Sequence, residues 1–128
     1  MSESWRTVPV DGATYPLQTQ RLAADQASGA RTLLVRFPAG FDRPAAGFYA
    51  VGEEFLILRG DLIINGQQLG AGDWVSVPAG TVRRGTASAT GAVALAWFAG
   101  SPIWHEGEGS GDTGPLVRRQ LDGWPFST

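Results

Sequence analysis

The chain has 128 residues, a formal net charge of −2 and 43% hydrophobic residues, values that suit one globular domain with its own core. It contains no cysteine and no lysine, which excludes a thiolate nucleophile, a Schiff-base lysine and a sulfur-ligated metal. Its single histidine, His105, excludes a site built from two imidazoles of one chain.

The distribution of charge gives no reason to expect nucleic acid or a membrane surface as a partner. All ten basic residues are arginines, scattered singly or in the pairs 83–84 and 118–119. No apolar run approaches the roughly 20 residues that span a bilayer, and the first residues lack the basic stretch and apolar core of a secretion signal. We therefore expect a cytoplasmic protein.

Short β-branched and aromatic runs, separated by glycine and proline, predict strands with turns between them, as in a sandwich or small barrel. The predicted strands are 30–40, 54–60, 62–64, 73–80 and 92–100. The Asn65-Gly66 pair after the third favours a tight hairpin, because both residues tolerate positive φ. The last strand is almost wholly apolar, so we expect both of its faces to be covered.

The C-terminal region differs in composition from the strands. Segment 106–114 (EGEGSGDTG) has the composition of a flexible linker, and 115–121 (PLVRRQL) predicts one or two helical turns opened by Pro115. We expect Trp124 and Phe126 to dock on the barrel or on a neighbouring subunit. The chain is interpreted as one domain over 1–128, with an N-terminal extension at 1–29, a barrel core at about 30–100 and a linker and tail at 101–128.

Two spaced patterns resemble the two motifs of the cupin family. The second motif, Gly-x5-Pro-x-Gly-x2-His, is matched in frame by Gly72, Pro78, Gly80 and Arg83. The first motif, which ends in Glu-x6-Gly, is matched by Glu53 and Gly60, with Gly40 upstream. The segment GEEFLILRG is similar to the cupin domains of the ChrR-like group. The resemblance covers roughly residues 30–100 and implies an all-β fold, a small cupin-type double-stranded β-helix (jelly-roll) barrel with little helix.

The same resemblance identifies the positions where cupins hold a divalent metal with three histidines and a glutamate. The histidine pair of the first motif falls on Gly47 and Tyr49 or, in the other frame, on Ala46 and Phe48. Arg83 replaces the histidine of the second motif, so that only Glu53 is retained. A divalent metal needs about three to four donors, and the fixed charge of a guanidinium repels it. We therefore expect no metal and no cofactor.

Strand alternation then predicts which side chains face the interior of the barrel. If Glu53 points inward, Phe55 and Ile57 do as well, and an inward Arg83 sends Arg84 outward. The predicted catalytic residues are Glu53 and Tyr49. The predicted ligand-binding residues are Arg83, Phe55, Ile57, Trp97 and Arg36, with Phe98 in place of Trp97 if the strand has the other register.

Each of these residues also has a purely structural interpretation. Glu53 and Arg83 could form a buried ion pair that fills the space of the lost metal. Alternatively, Arg83 binds an anionic group of a ligand through its planar fork while Glu53 acts as an acid or base. Tyr49 is interpreted mainly as a wall residue and His105 as a surface residue.

The leading hypothesis is a metal-free cupin that binds a small anionic or hydroxylated organic molecule, with proton transfer as the chemistry available to it in an isomerase, cyclase or lyase. An alternative is a non-enzymatic sensor or accessory domain. A third hypothesis is a metalloenzyme whose site is rebuilt from Glu53, Glu54, Tyr49 and His105. The expected partners are a small-molecule ligand and a second copy of the chain in a homodimer.

Overall fold

The computed structural model of the chain describes residues 5–107 and 116–122. Within these ranges the chain forms β-strands and no helix, which confirms the predicted all-β class. The strands are β1 (Arg6–Val8), β2 (Leu17–Ala24), β3 (Arg31–Phe37), β4 (Phe41–Tyr49), β5 (Glu53–Ile64), β6 (Gln67–Gly70), β7 (Asp73–Val77), β8 (Arg83–Ser88), β9 (Ala92–Phe98), β10 (Trp104–Glu106) and β11 (Val117–Gln120). None of the described segments is a helix long and apolar enough to cross a membrane.

The strands form a curled antiparallel sheet in which β5 belongs to both halves. One half has the order β1-β2-β3-β9-β5-β7-β11, and the other has the order β10-β4-β8-β5-β6. The first residues of β5 pair with β9 and β7, and its last residues pair with β6 and β8. The curl places the inner faces of the two halves around a common interior.

The length of β5 corrects the prediction of two separate strands at 54–60 and 62–64. The strand is continuous because a register shift between Ile57 and Arg59 and a positive φ of 84° at Gly60 let it bend without losing its partners. A side chain at Gly60 would collide with the carbonyl of Gly91. Glycine is therefore required at the point where β5 passes between the two halves.

Side chains along the first part of β5 alternate between the interior and the outer face, as predicted. Glu53, Phe55 and Ile57 are buried, whereas Glu54 is exposed. The inner apolar residues of both halves meet in one core, whose largest fully buried members are Ile57, Leu62, Ile64, Leu69 and Val75. Burying side chains of this size contributes about 1.5–3 kcal/mol each, so this core supports the walls of the interior.

Two other structural predictions are wrong. Residues 117–120 form β11, paired with β7, rather than the helical turns predicted over 115–121. Only one face of strand β9 is fully buried: on the other face Val93 and Leu95 are half-buried and Trp97 is 38% exposed. Residues 108–115 and 123–128, which include most of the predicted linker as well as Trp124 and Phe126, lie outside the described residues.

Candidate functional site

A cavity of about 490 Å³ lies in the interior and is open at one side. Strands from both halves of the sheet line it, and most of its wall is apolar, including Val35, Phe41, Phe55 and Phe98. A cavity of this size accommodates a small organic molecule. The polar groups on its wall are few, so their arrangement determines which ligand fits.

The ion pair of Glu53 and Arg83 lies on this wall. Glu53 begins β5 and Arg83 begins β8, and the Arg83 Nη2 atom donates to the Glu53 Oε1 atom. Both residues are buried, with 7% and 9% of their surfaces exposed. The pair thus connects two strands at the interior, and the exposed neighbour Arg84 confirms the predicted direction of Arg83.

The phenol of Tyr49 is adjacent to this pair. The Arg83 Cζ atom stands 5.0 Å from the centroid of the Tyr49 ring, and Phe98 packs edge-on against the same ring at 5.6 Å. Burial raises the pKa of Tyr49, although the positive charge of Arg83 opposes this shift. The phenol therefore remains a hydrogen-bond donor at neutral pH.

A second buried arginine, Arg43, extends from β4 and stacks on an indole. Its Cζ atom stands 3.7 Å from the centroid of the Trp104 ring, and 9% of the residue is exposed. Burial lowers the pKa of Arg43, because removing a guanidinium from water disfavours its charge. Among the described residues Arg43 forms no ion pair with a carboxylate.

Three buried N–H groups around the cavity lack a hydrogen-bond partner among the described residues. They are Arg43 Nε, Arg83 Nε and Trp104 Nε1. A buried donor without an acceptor costs about 1–3 kcal/mol, and more when it carries a charge. Two of these residues are arginines that line the cavity, so its wall carries positive charge that suits an anionic ligand.

The positions that hold a metal in cupins do not fit one in this chain. A side chain at Gly47 would collide with the indole of Trp104, so the indole occupies the space of the first histidine. Tyr49 faces the cavity, whereas Phe48 stacks on His105 with ring centroids 5.2 Å apart, which favours the Gly47 and Tyr49 frame. Among residues 5–107 and 116–122, no three histidine, cysteine or acidic side chains are grouped as a metal would require.

The structure brings together only some of the predicted site residues. Glu53, Tyr49, Arg83 and Phe55 line the cavity. Ile57 points inward but is fully buried in the core below the cavity wall.

Two predicted ligand-binding residues are on the outside. Trp97 faces outward because Phe98 pairs with Glu53 and takes the inner position of β9. Arg36 lies on the outer face of β3, where it stacks on Trp5 at 4.1 Å and donates to Gln18. Their predicted places in the pocket were wrong, whereas the exposed position of His105 agrees with the prediction.

Sequence reasoning missed Arg43, Trp104 and Arg31, which also line the cavity. Arg43 was detectable in principle, since simple alternation back from Gly47 places it inward, and it is buried there despite the register shift between Arg43 and Ala46. The alternation that places Leu33 and Val35 inward also places Arg31 on the inner face of β3. No local pattern indicates Trp104, because the three-residue strand β10 is defined by its pairing with β4.

Residues 1–101 match the family model described as "Domain of unknown function (DUF4437)". The chain belongs to this family. Among curated proteins, none matches the sequence of this DUF4437 chain. The family description states no activity.

Solved structures similar to this DUF4437 chain share its fold at low sequence identity. An acetylacetone dioxygenase from Acinetobacter johnsonii matches with a TM-score of 0.69 and 15% identity over 89% of this chain and 78% of that one. A cupin-like protein from Thermotoga maritima matches with a TM-score of 0.64 and 16% identity over 84% and 87%. A chain in the Rhodobacter sphaeroides complex of SigE with the anti-sigma ChrR matches at 0.58 and 20% over 74% and 49%. The cupin fold implied by the two motifs is thus confirmed.

Proposed function

We propose that this cupin binds a small organic anion, such as a carboxylate or an enolate, directly through protein groups and without a metal. The observation that carries the proposal is that two buried arginines, Arg43 and Arg83, line the cavity, and among the described residues only Arg83 has a carboxylate partner. An anion at this position would accept hydrogen bonds from Arg43 and Arg83 and offset the unpaired charge of Arg43. Charge-assisted hydrogen bonds of this kind are about twice as strong as neutral ones.

The environment of the donors strengthens this interpretation. Both guanidiniums are about nine-tenths buried, so an ion pair formed with them is weakly screened by solvent. The Arg43 guanidinium lies over the Trp104 ring, a contact that restricts its position before a ligand binds. The apolar wall around them, including Phe98 and Phe41, suits the hydrocarbon part of an organic acid.

The dioxygenase activity in the name of the Acinetobacter protein gives no direct model for this site. The positions of the metal ligands hold Gly47, Tyr49, Glu53 and Arg83, and Trp104 fills the space beside Gly47. Acetylacetone is nevertheless informative as a probe, because its enolate is a small anion with two oxygen acceptors. A metal-independent site would bind that enolate by its oxygens.

The groups beside the proposed anion site can transfer a proton. Tyr49 is a protonated donor whose pKa burial raises, and Glu53 supplies a carboxylate in the same cavity. A carboxylate and a phenol at one site suit abstraction of a proton next to a carbonyl with protonation of the resulting enolate oxygen. A sensor that binds the same anion without converting it is the second candidate function, and the fold shared with the chain in the SigE–ChrR complex is compatible with it.

The test is calorimetric titration and a thermal-shift series with small carboxylates, their amides and acetylacetone. Carboxylates are expected to bind and their neutral amides are not. At 100 times the dissociation constant the anion should stabilise the fold by about 2.7 kcal/mol. Arg43→Gln should weaken binding by about tenfold or more, since a hydrogen bond to a charged group is worth about 1.5–3 kcal/mol.

The matched control is Arg59→Gln on the outer side of β5, where the side chain is exposed. It should leave the affinity unchanged. Equal binding of acids and amides, or an equal loss in the Arg43→Gln and Arg59→Gln variants, would refute the anion site. Exchange of deuterium from solvent into a bound acid would favour proton transfer, and binding without exchange would favour a sensor.

A further inference from the structure

A second group of arginines lines the same cavity away from Arg43 and Arg83. Arg6, Arg21 and Arg31 extend from β1, β2 and β3, at the edge of the sheet. Together the cavity wall carries five arginines against the two carboxylates of Glu53 and Asp11, an excess of three positive charges. This excess is unexpected in a chain whose net charge is −2.

The pairing of the strands fixes how far apart the two arginine groups are. Arg31 pairs with Phe98 on β9, and Phe98 pairs with Glu53 on β5. Two strand spacings of about 4.8 Å therefore separate the backbones of Arg31 and Glu53, or about 10 Å. The apolar ring of Phe98 lies between a cationic centre at the sheet edge and the site of Arg83.

Arg31 is held in place by contacts that have no role in the core. Its Nε atom donates to the carbonyl of Gly29 at 3.0 Å, and its Nη2 atom donates to the Ser101 hydroxyl at 3.3 Å. Gly29 has a positive φ of 79°, and a side chain there would collide with Ser101. The turn before β3 is itself fixed by the Asp25 carboxylate, which accepts from the Ser28 hydroxyl at 2.7 Å.

None of these contacts neutralises the edge group. Among the described residues, no carboxylate forms an ion pair with Arg6, Arg21 or Arg31. Arg31 is partly buried, so its charge is only partly screened by solvent. A positioned guanidinium without a counter-ion is the arrangement that recognises an acidic group.

We propose that the ligand is a dianion, an organic molecule with two acidic groups separated by an apolar body, one bound by Arg43 and Arg83 and the other by Arg31. This inference rests on the proposed function and adds the substrate class. Arg21 and Arg6, which are exposed, attract the second acidic group from solvent. The apolar body lies along Phe98.

The experiment uses calorimetry to compare diacids with the monoacids that lack the second carboxylate. The pairs are malonate with acetate, glutarate with butyrate, and pimelate with hexanoate. Glutarate or pimelate should bind at least about tenfold more tightly than its monoacid, because the second acid gains a charge-assisted contact. Malonate is too short to reach both groups and should show no such gain.

Arg31→Gln tests which residue recognises the second acid. It should reduce the affinity for the diacid to that of the monoacid and leave the monoacid unaffected. Arg21→Gln leaves the contacts of Arg31 with Gly29 and Ser101 intact and should cause a smaller loss of affinity, for the diacid only. This variant tests the dianion if Arg31→Gln does not fold. Arg59→Gln serves again as the control.

The outcomes separate this inference from the proposed function. If monoacids bind but no diacid binds more tightly than its matched monoacid, the dianion is refuted and the anion site stands. An equal loss of affinity for the diacid and for its matched monoacid in Arg31→Gln likewise refutes the dianion. If neither acids nor diacids bind, both proposals are wrong.

Discussion

Replacing Glu53 by glutamine should have opposite effects on stability and on anion affinity. Glu53 is 7% exposed and pairs with Arg83, while Arg43 lies on the same cavity wall without a carboxylate partner. Removing one member of a buried pair typically costs about 3–5 kcal/mol, because the remaining charge stays buried without compensation. We expect Glu53→Gln to lose a free energy of unfolding in this range.

The same substitution removes the one buried negative charge that competes with an anion for Arg83. We therefore expect carboxylates to bind Glu53→Gln more tightly than the wild type and to restore part of its lost stability. Urea denaturation with and without saturating glutarate measures both effects, since the free energy of unfolding follows from the midpoint and slope. The stabilisation by glutarate should be larger in the variant than in the wild type.

The exposed neighbour Glu54 provides the matched control. Glu54→Gln changes the same chemical group on the outer face of β5, and it should alter stability by no more than about 0.5 kcal/mol. A Glu53→Gln variant as stable as the wild type would show that the ion pair contributes little. Weaker anion binding in that variant would show that Glu53 contacts the ligand favourably, and the electrostatic reasoning would be wrong.

Two further predictions concern the phenol and the position of the lost histidine. In a Tyr15→Phe background, the ultraviolet titration of Tyr49 should have a midpoint above the usual pKa of 10.0, because burial raises its pKa. Because the pKa of Tyr49 is higher in the folded than in the unfolded state, the contribution of the neutral phenol to stability is complete below pH 10 and is lost as the pH rises through the folded pKa. A pH-independent difference in unfolding free energy between Tyr49→Phe and the wild type would contradict this prediction. Gly47→Ala should destabilise the fold by about 1–3 kcal/mol, because the new side chain collides with the Trp104 indole, whereas Gly70→Ala, with open space around it, should not. Equal melting temperatures of the two variants would mean that the indole moves freely.

The sequence predicted individual strands and their inner faces better than it predicted the relation between strands. Alternation from Glu53 correctly placed Phe55 and Ile57, since the period of two is a local property of the backbone. Trp97 was misplaced because its direction depends on which residue of β9 pairs with Glu53, and that pairing is a long-range feature. Strand β11 was misassigned for a related reason, because its four exposed residues become a strand only by pairing with β7.

In the candidate site, too, local features were predicted correctly and long-range features were missed. The motif frame identified Glu53, Tyr49 and Arg83, which belong to positions defined by spacing along the chain. Arg31 and Trp104 reach the cavity because β3 and β10 lie beside other strands of the curled sheet. The cationic character of the cavity was therefore underestimated from the sequence, which predicted Arg83 and Arg36 at the site, and of these two only Arg83 lines the cavity.

The residues at the positions that hold a metal in cupins form a connected set with their neighbours. Glycine at 47 leaves space for the Trp104 indole, the indole supports the Arg43 guanidinium, and the charge of Arg43 adds to that of Arg83. A histidine restored at 47 alone would meet the indole, and a histidine at 83 alone would leave Glu53 without its partner. A single histidine at either position would therefore disturb the contacts of its neighbours. The arrangement thus places positive charge in the interior of the fold through two buried guanidiniums that line the cavity.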